Sequence, residues 1–281
     1  MGMLGCTIAL IAIDLDGTLL DSTSAVSARS IRALERCKSH GVWRVVATGR
    51  SVETAKRVLP PDFPADYLIF SSGAGVCQWP SGLLIAESHL EAQSARAIAA
   101  ILTSAEMSFM AHLPIPHNHL FYSHEGRYSH QTDFWQRIAA HRQDVQQLHE
   151  GEDAFAEGLA QFVVTMPHDL ALFEQLAQQV APLGSIIRAT SPFDHKSLWM
   201  EIFPHGVSKG ATLQSLCRRL AIEPDRVAVV GNDYNDLSML ERFKHAYVVA
   251  NAPAELRGRF ECLPSNDDDG VACLIEAFLP A

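Results

Sequence analysis

A run of apolar residues that ends in two closely spaced aspartates constrains this chain more than any other feature. Residues 8–13 read Ile-Ala-Leu-Ile-Ala-Ile, and Asp14-Leu15-Asp16-Gly17-Thr18 follows at once. A continuous apolar run of this length is typical of a strand buried on both faces of a parallel sheet. Because Gly17 indicates a tight turn, we expect both carboxylates to lie where the strand opens into a loop, which is where open α/β sheets bind ligands.

Two carboxylates this close repel each other unless a cation lies between them, and hard oxygen ligands favour Mg²⁺. With one oxygen of Asp14 on a metal ion, the other can act as a nucleophile on phosphorus. Asp16 is placed to protonate the leaving group and later to accept a proton from water. The alternative is a strand that ends in a solvated acidic turn, and later parts of the chain decide between the two.

The plan of strand, polar tip and helix then repeats. Residues 42–47 predict a second buried strand, which ends in Thr48-Gly49-Arg50, and a helix is predicted from about Ser51. The Thr48 hydroxyl and the backbone N–H groups that follow it can bind one anion at the start of that helix. A plain helix cap explains Thr48 equally well. Arg50 is a candidate contact for a phosphorylated substrate.

A second acidic strand tip occurs late in the chain. Residues 227–230 predict a strand that ends in Gly231-Asn232-Asp233-Tyr234-Asn235-Asp236. In a parallel sheet this cluster and the first one can face each other across one metal ion. Lys209 lies in the first turn of a predicted helix, where a cation opposes the helix dipole. This position indicates another role for Lys209, such as neutralising Asp14 and a bound phosphoryl group.

The middle of the chain has a different character. Between residues 84 and 202 helices and strands alternate without acidic tips, which predicts an inserted α+β cap domain. Residues 1–83 and 203–281 then form the α/β core, a doubly wound parallel sheet of Rossmann-like type. The histidines of the insert lack the helical spacing of zinc enzymes, so surface or substrate-facing positions are favoured for His112, His117, His119, His124 and His130.

Charge and composition restrict the partners. The formal net charge of -10 argues against nucleic acid and anionic membrane surfaces, and no apolar run is long enough to span a bilayer. The six cysteines form no Cys-x-x-Cys pair, which predicts reduced thiols. The apolar start has no basic residues and continues directly into the aspartates, so no signal peptide is expected. We therefore expect a cytoplasmic protein that binds a small phosphorylated metabolite, and the sequence carries no signature of a particular oligomeric state.

Four separated strings together resemble the motifs of the haloacid dehalogenase superfamily of phosphatases. They are Asp14 to Thr18, Thr48 to Arg50, Lys209-Gly210 and Gly231 to Asp236. The resemblance covers about residues 1–83 and 203–281. The insert is similar only in size and pattern to the large type II α/β cap of the Cof-type sugar-phosphatase branch.

The resemblance implies a role for each motif residue. Asp14 would form an aspartyl-phosphate, Asp16 would act as general acid and base, and Thr48 and Lys209 would bind the phosphoryl group. Further contacts to substrate are expected from Gly49, Arg50 and Asn235. Mg²⁺ would be held by the Asp14 carboxylate, the Asp16 backbone carbonyl and the fourth motif.

The fourth motif departs from the pattern of the family, which usually reads Gly-Asp-x-x-Asn-Asp. Here Asn232 takes the first acidic position and an aspartate follows one place later. Either Asn232 binds the metal through its neutral amide oxygen, or the loop shifts to use Asp233, while Asp236 stays a ligand and Asn235 fixes the loop. A neutral ligand is expected to lower metal affinity and to strengthen phosphate attraction.

These features predict a Mg²⁺-dependent phosphatase that acts on a small phosphate ester, in particular a sugar phosphate. A phosphomutase of the same superfamily is one alternative. A non-catalytic metal- or phosphate-binding regulatory module is another, which Asn232 favours and Asp14, Asp16 and Lys209 oppose. A glycosyltransferase that uses Asp-x-Asp for a nucleotide sugar fits less well, because its motif does not explain Lys209.

Overall fold

The computed structural model describes residues 8–147, 153–191, 193–194 and 196–279. The chain divides into two compact units. Residues 1–86 and 208–281 form the first unit, which we call the core, and residues 87–207 form the second, which we call the cap. Cys6 lies outside the described residues, and the other five cysteines are free thiols. Among the described helices, none has the length and apolar character needed to cross a membrane.

The first segment of the core contributes five strands and two helices. They are β1 (Leu10–Ile13), α1 (Ala28–Ser39), β2 (Trp43–Ala47), α2 (Val52–Lys56), β3 (Tyr67–Phe70), β4 (Gly75–Gln78) and β5 (Leu84–Glu87). Ser27 caps α1 by accepting the backbone N–H of Ser30. The helix is preceded by a turn, in which the Asp21 carboxylate accepts the backbone N–H groups of Thr23 and Ala25.

The cap is an antiparallel sheet with helices. Its elements are α3 (Ala92–Ser104), β6 (Ser108–His112), β7 (Phe121–His124), α4 (Phe134–Ala140), β8 (Gln161–Met166), α5 (Leu170–Val180), β9 (Ser185–Thr190) and β10 (Leu198–Phe203). The strand order is β7-β6-β8-β10-β9. On one face, Phe162 and Met200 pack in one cluster with Ile98 of α3 and Leu176 of α5. On the other face, Trp199 packs in one cluster with Phe134 of α4.

The closing segment completes the core. Its elements are α6 (Lys209–Arg219), β11 (Val227–Gly231), α7 (Leu237–Leu240), β12 (His245–Val249), α8 (Ala254–Arg257), β13 (Glu261–Leu263) and α9 (Gly270–Phe278). The sheet order is β13-β12-β11-β1-β2-β3-β4-β5, and the strands from β13 to β3 run parallel. The predicted fold class, an α/β protein with a parallel sheet and an inserted second domain, is confirmed.

Helices cover both faces of the core sheet because successive residues of β1 point to opposite sides. Leu10 and Ala12 belong to a cluster with Leu213 of α6. Ile11 lines a small apolar cavity together with Cys37 of α1 and Ile275 of α9. The sheet is therefore buried on both faces, and the polar residues that follow β1, β2 and β11 lie at the edge where these parallel strands end.

The boundaries between the units lie a few residues after the predicted ones at 83/84 and 202/203. Residues Leu84–Glu87 form β5, which is the last strand of the core sheet, so the core extends past residue 83. At the other boundary, β10 continues to Phe203 and belongs to the cap.

Candidate active site

Asp14 follows β1 directly and is brought beside the tip of β11. Its backbone N–H donates to the carbonyl of Val230 at 2.9 Å, which continues the parallel pairing of the two strands. The chain then turns at Gly17, whose φ is +72°. A Cβ at this position would lie 2.5 Å from the side-chain nitrogen of Asn232. Glycine is therefore required here both for its backbone angle and for the close approach of the fourth motif.

Lys209 joins the first and fourth motifs. Its Nζ donates to Asp14 Oδ1 at 2.6 Å and to Asp236 Oδ1 at 2.7 Å, and its side chain is 0% exposed. The ammonium group can reach both carboxylates because Lys209 is the first residue of α6, which Ser208 caps by accepting the N–H of Ala211. Three of the four predicted motifs thus meet in one buried cluster.

The charges of this cluster favour the binding of a cation. Burial and the nearby Asp236 carboxylate together raise the pKa of Asp14 to about 7, against the opposing effect of Lys209. Burial alone would lower the pKa of Lys209, but the two carboxylates outweigh it and the pKa is raised. Two carboxylates with one ammonium group have an excess of negative charge when ionised, and buried charges of this kind require compensation.

The loop of the fourth motif is held by Asp236. Its Oδ2 accepts the backbone N–H groups of Asn232 at 2.8 Å and of Asp233 at 3.2 Å. The Asp233 side chain in return accepts the backbone N–H of Asp236, so it caps its own loop. The amide oxygen of Asn232 instead accepts the hydroxyl of Thr18 at 3.2 Å, which places this amide against the first motif. The Asn235 amide oxygen is buried and has no hydrogen-bond partner within the described chain.

The second motif lies at the tip of β2. Thr48 is fully buried, its N–H donates to the Ile69 carbonyl, and its hydroxyl oxygen accepts the N–H of Arg50 at 3.1 Å. Ser51, not Thr48, caps α2. Gly49 lies in the bend between β2 and α2. The Arg50 guanidinium contacts the carboxylate of Asp16, with Nη2 at 2.7 Å from Oδ1.

The donors present fit a hard cation, although not as a cluster of acidic side chains alone. No group of three or more His, Cys, Asp or Glu residues in the described ranges could hold a metal ion, and this includes the histidines of the cap. The side chain of Asp16 is directed to Arg50, so the carboxylates of the cluster are those of Asp14 and Asp236. The amide oxygen of Asn232 and the backbone carbonyl of Asp16 add neutral oxygen donors of the kind that Mg²⁺ accepts. The buried amide oxygen of Asn235, which has no hydrogen-bond partner among the described residues, is a further oxygen that could contact a ligand.

One supporting residue, Asn251, is not among the residues predicted for the site. Its side-chain nitrogen donates to the Gly17 carbonyl at 2.7 Å and so fixes the turn after Asp16. Its amide oxygen is held by the backbone N–H of Asn266 at 3.1 Å. Asn251 lies just after β12, which neighbours β11. A polar residue at the end of a predicted parallel strand was therefore the sequence feature that could have identified it.

Comparison with known proteins agrees with this geometry. A family model described as haloacid dehalogenase-like hydrolase matches residues 11–275. The chain is 27% identical to the 5-amino-6-(5-phospho-D-ribitylamino)uracil phosphatase YwtE of Bacillus subtilis (strain 168), over 96% of this chain and 97% of the relative. In fold it is similar to SMU.1108c of Streptococcus mutans UA159, with a TM-score of 0.80 at 20% identity, covering 98% of this chain and 100% of that one. The fold is also similar to that of the sugar phosphatase BT4131, with a TM-score of 0.74 at 17% identity, covering 96% and 98% of the two chains.

Proposed function

Because this chain belongs to the haloacid dehalogenase-like hydrolases, in their Cof-type branch of phosphatases, we propose that it is a Mg²⁺-dependent phosphatase of small phosphate esters. The proposed substrate is a sugar phosphate, and the reaction passes through an aspartyl-phosphate on Asp14. The observation that carries the proposal is the contact of Lys209 Nζ with Asp14 at 2.6 Å and with Asp236 at 2.7 Å. A fully buried lysine between two carboxylates is typical of a site that handles negative charge.

In the proposed reaction, the Asp14 oxygen that Lys209 does not hold attacks phosphorus while the bond to the ester oxygen breaks. Asp16 gives its proton to the departing oxygen. Asp16 then takes a proton from water, which attacks the phosphorus of the aspartyl-phosphate and releases inorganic phosphate and free Asp14. Thr48 and Lys209 bind phosphoryl oxygens, and Gly49 and Asn235 are assigned as further contacts to the substrate.

We assign Mg²⁺ to the carboxylates of Asp14 and Asp236, the amide oxygen of Asn232 and the backbone carbonyl of Asp16. Asp233 is the weaker candidate, because its side chain already accepts the N–H of Asp236. When bound, the metal ion supplies positive charge that offsets the two carboxylates and the incoming phosphoryl group.

The test is the hydrolysis of p-nitrophenyl phosphate by protein that has been stripped with EDTA and then titrated with Mg²⁺. We expect activity to require Mg²⁺ and to be lost in Asp14→Asn. The exposed Asp62, away from the predicted motifs, provides the control variant Asp62→Asn, which should keep full activity. Activity that survives Asp14→Asn, or that ignores the chelator, contradicts the mechanism.

The substrate class is tested by phosphate release from a panel of phosphorylated metabolites. The relative in Bacillus subtilis is named for a substrate whose phosphate is on a ribityl chain, which supports a sugar or sugar-alcohol phosphate here. Release of phosphate from these esters in preference to nucleotides is the expected result. Isomerised sugar phosphate without free phosphate would identify a phosphomutase instead, and calorimetric binding without turnover would identify a regulatory module.

A further inference from the structure

Arg50 binds the carboxylate of Asp16 with two parallel hydrogen bonds. Its Nε lies 2.8 Å from Asp16 Oδ2, and its Nη2 lies 2.7 Å from Asp16 Oδ1. Paired contacts of this kind between a guanidinium and a carboxylate fix the orientation of both groups as well as adding energy. The remaining guanidinium nitrogen, Nη1, donates to the backbone carbonyl of Thr54 in α2 at 3.2 Å.

The two partners differ in how firmly the backbone holds them. The backbone of Arg50 is fixed on both sides, because its N–H donates to the Thr48 hydroxyl and its carbonyl accepts the N–H of Ser71. Asp16 lies in the irregular turn that follows β1, with φ of -77° and ψ of 118°, next to the left-handed Gly17. Within the described residues, no side chain other than Arg50 forms a hydrogen bond with its carboxylate. The orientation of Asp16 is therefore set by Arg50 and not by its own turn.

We propose that Arg50 is the positioning residue for Asp16, which it holds in one orientation for proton transfer, and that Arg50 does not itself bind the phosphoryl group. The inference rests on the proposed function, since it takes Asp16 as the general acid and base. It differs from the role that the sequence motif suggests for Arg50, which is a contact with the substrate.

The two roles of Arg50 differ in their kinetic consequences. A phosphate ligand stabilises every substrate, so its loss weakens the binding of all esters and of inorganic phosphate alike. A residue that acts through Asp16 matters most where the leaving oxygen needs a proton. An alkoxide needs that proton, whereas p-nitrophenolate departs without it. The parameter kcat/KM reports the steps up to formation of the aspartyl-phosphate, so the shared hydrolysis of that intermediate does not mask the difference.

The experiment compares Arg50→Met, Arg50→Lys, Asp16→Asn and the double variant Arg50→Met/Asp16→Asn in the presence of Mg²⁺. The probes are p-nitrophenyl phosphate and glycerol phosphate, with inorganic phosphate as inhibitor. We expect Arg50→Met to lower kcat/KM for glycerol phosphate roughly 10- to 100-fold more than for p-nitrophenyl phosphate. The inhibition constant of phosphate should stay unchanged. Arg50→Lys keeps the charge but not the paired contact, so its loss should be intermediate.

The double variant shows whether Arg50 acts through Asp16. In the Asp16→Asn background, Arg50→Met should change kcat/KM for glycerol phosphate less than about twofold, because the group that it positions is already gone. The control is Arg29→Met, which removes a similar paired contact between Arg29 of α1 and Glu276 of α9, with distances of 3.1 and 2.7 Å. Its kinetics should match the wild type.

Two results would overturn the inference. One is an equal loss for both esters together with weaker inhibition by phosphate, which would make Arg50 a phosphoryl ligand. The other is a loss on adding Arg50→Met that is as large in the Asp16→Asn background as in the wild type. Failure of the proposed function looks different, since it requires an inactive wild type or an active Asp14→Asn variant.

Discussion

Lys209 is a fully buried cation that two carboxylates keep charged, and each member of the cluster depends on the others. We expect Lys209→Met to lower the free energy of unfolding by about 3–5 kcal/mol in the absence of Mg²⁺, because it leaves two buried carboxylates without their cation. It should also abolish phosphatase activity. Urea unfolding and p-nitrophenyl phosphate hydrolysis measure the two effects. The variant Lys209→Met/Asp236→Asn removes one of the stranded charges, so it should regain stability without regaining activity; no gain would contradict the electrostatic explanation.

Asn232 provides a neutral oxygen at the position where the motif that residues 231–236 resemble usually has an aspartate. We expect Asn232→Asp to tighten Mg²⁺ binding roughly tenfold, or about 1.4 kcal/mol, because an ionised oxygen attracts the cation more strongly. Inhibition by inorganic phosphate should weaken, since the site loses net positive charge. Isothermal calorimetry of metal binding is the measurement. Asp233→Asn is the matched variant and should leave the dissociation constant nearly unchanged; the reverse pattern would show that the loop uses Asp233.

His112 in the cap is buried and stays neutral, so the surface or substrate-facing position expected from the sequence is wrong for this histidine. Its Nδ1 donates to the Asn118 carbonyl at 2.8 Å, and burial together with the nearby Arg137 lowers its pKa to about 3. In the unfolded chain its pKa returns to about 6.5, so acid favours unfolding as the pH falls below that value.

We therefore expect His112 to cost about 2 kcal/mol of unfolding free energy between pH 7 and pH 5. In His112→Gln this part of the pH dependence should disappear, because the new side chain does not titrate. Urea unfolding at the two pH values measures it. His130, whose side chain is 83% exposed, provides the control His130→Gln. This variant should show the same change in unfolding free energy between pH 7 and pH 5 as the wild type. An equal change in the wild type, His112→Gln and His130→Gln would contradict the assignment of this pH dependence to His112.

At the scale of the helices and strands, the sequence was informative wherever a buried strand ended in polar residues. The sequence pattern predicts strands at residues 67–70, 108–112 and 161–166 and helices at 170–180 and 270–278, and the structure has β3, β6, β8, α5 and α9 at these bounds. The strand β13 was missed because its residues, Glu261 to Leu263, are too few and too exposed to show a pattern. The motifs identified the residues that meet around Lys209, but not the contact of Arg50 with Asp16. That contact depends on how β1 and β2 align, which no local pattern records.

The start of α6 sets the position of Lys209, and it depends on the absence of a side chain at Gly210. A Cβ at Gly210 would overlap the backbone carbonyl of Ser238 in α7. Gly210→Ala should therefore separate the two helices, lower the free energy of unfolding by about 1–3 kcal/mol and reduce activity by displacing the ammonium group.

The matched variant for this test is Gly258→Ala. A Cβ at Gly258 meets no atom closer than 3.4 Å, so stability and activity should stay close to those of the wild type. Urea unfolding and phosphate release measure both variants. If Gly210→Ala were as stable and as active as Gly258→Ala, the close packing of α6 on α7 would not be what places Lys209.

At the scale of the whole molecule, the cap is one uninterrupted segment with its own sheet and its own apolar clusters. We expect residues 87–207, produced alone, to fold cooperatively, because the residues of these clusters all lie within that segment. Circular dichroism and a sigmoidal urea transition measure this. The segment 1–86, produced alone, is the matched comparison and should stay unfolded, since it lacks β11 and α6. A non-cooperative transition for 87–207 would contradict the prediction.

The core sheet has β1 at its centre, between β2 and β11. On the ribosome, β2 emerges soon after β1, but β11 is synthesised only after the whole cap. Until then one edge of the central strand, with Asp14 at its end, is left without its neighbour, and such an edge is open to pairing with other chains. The nascent protein thus cannot acquire its reactive centre early, and a chaperone that shields this edge during translation would protect the yield of active enzyme.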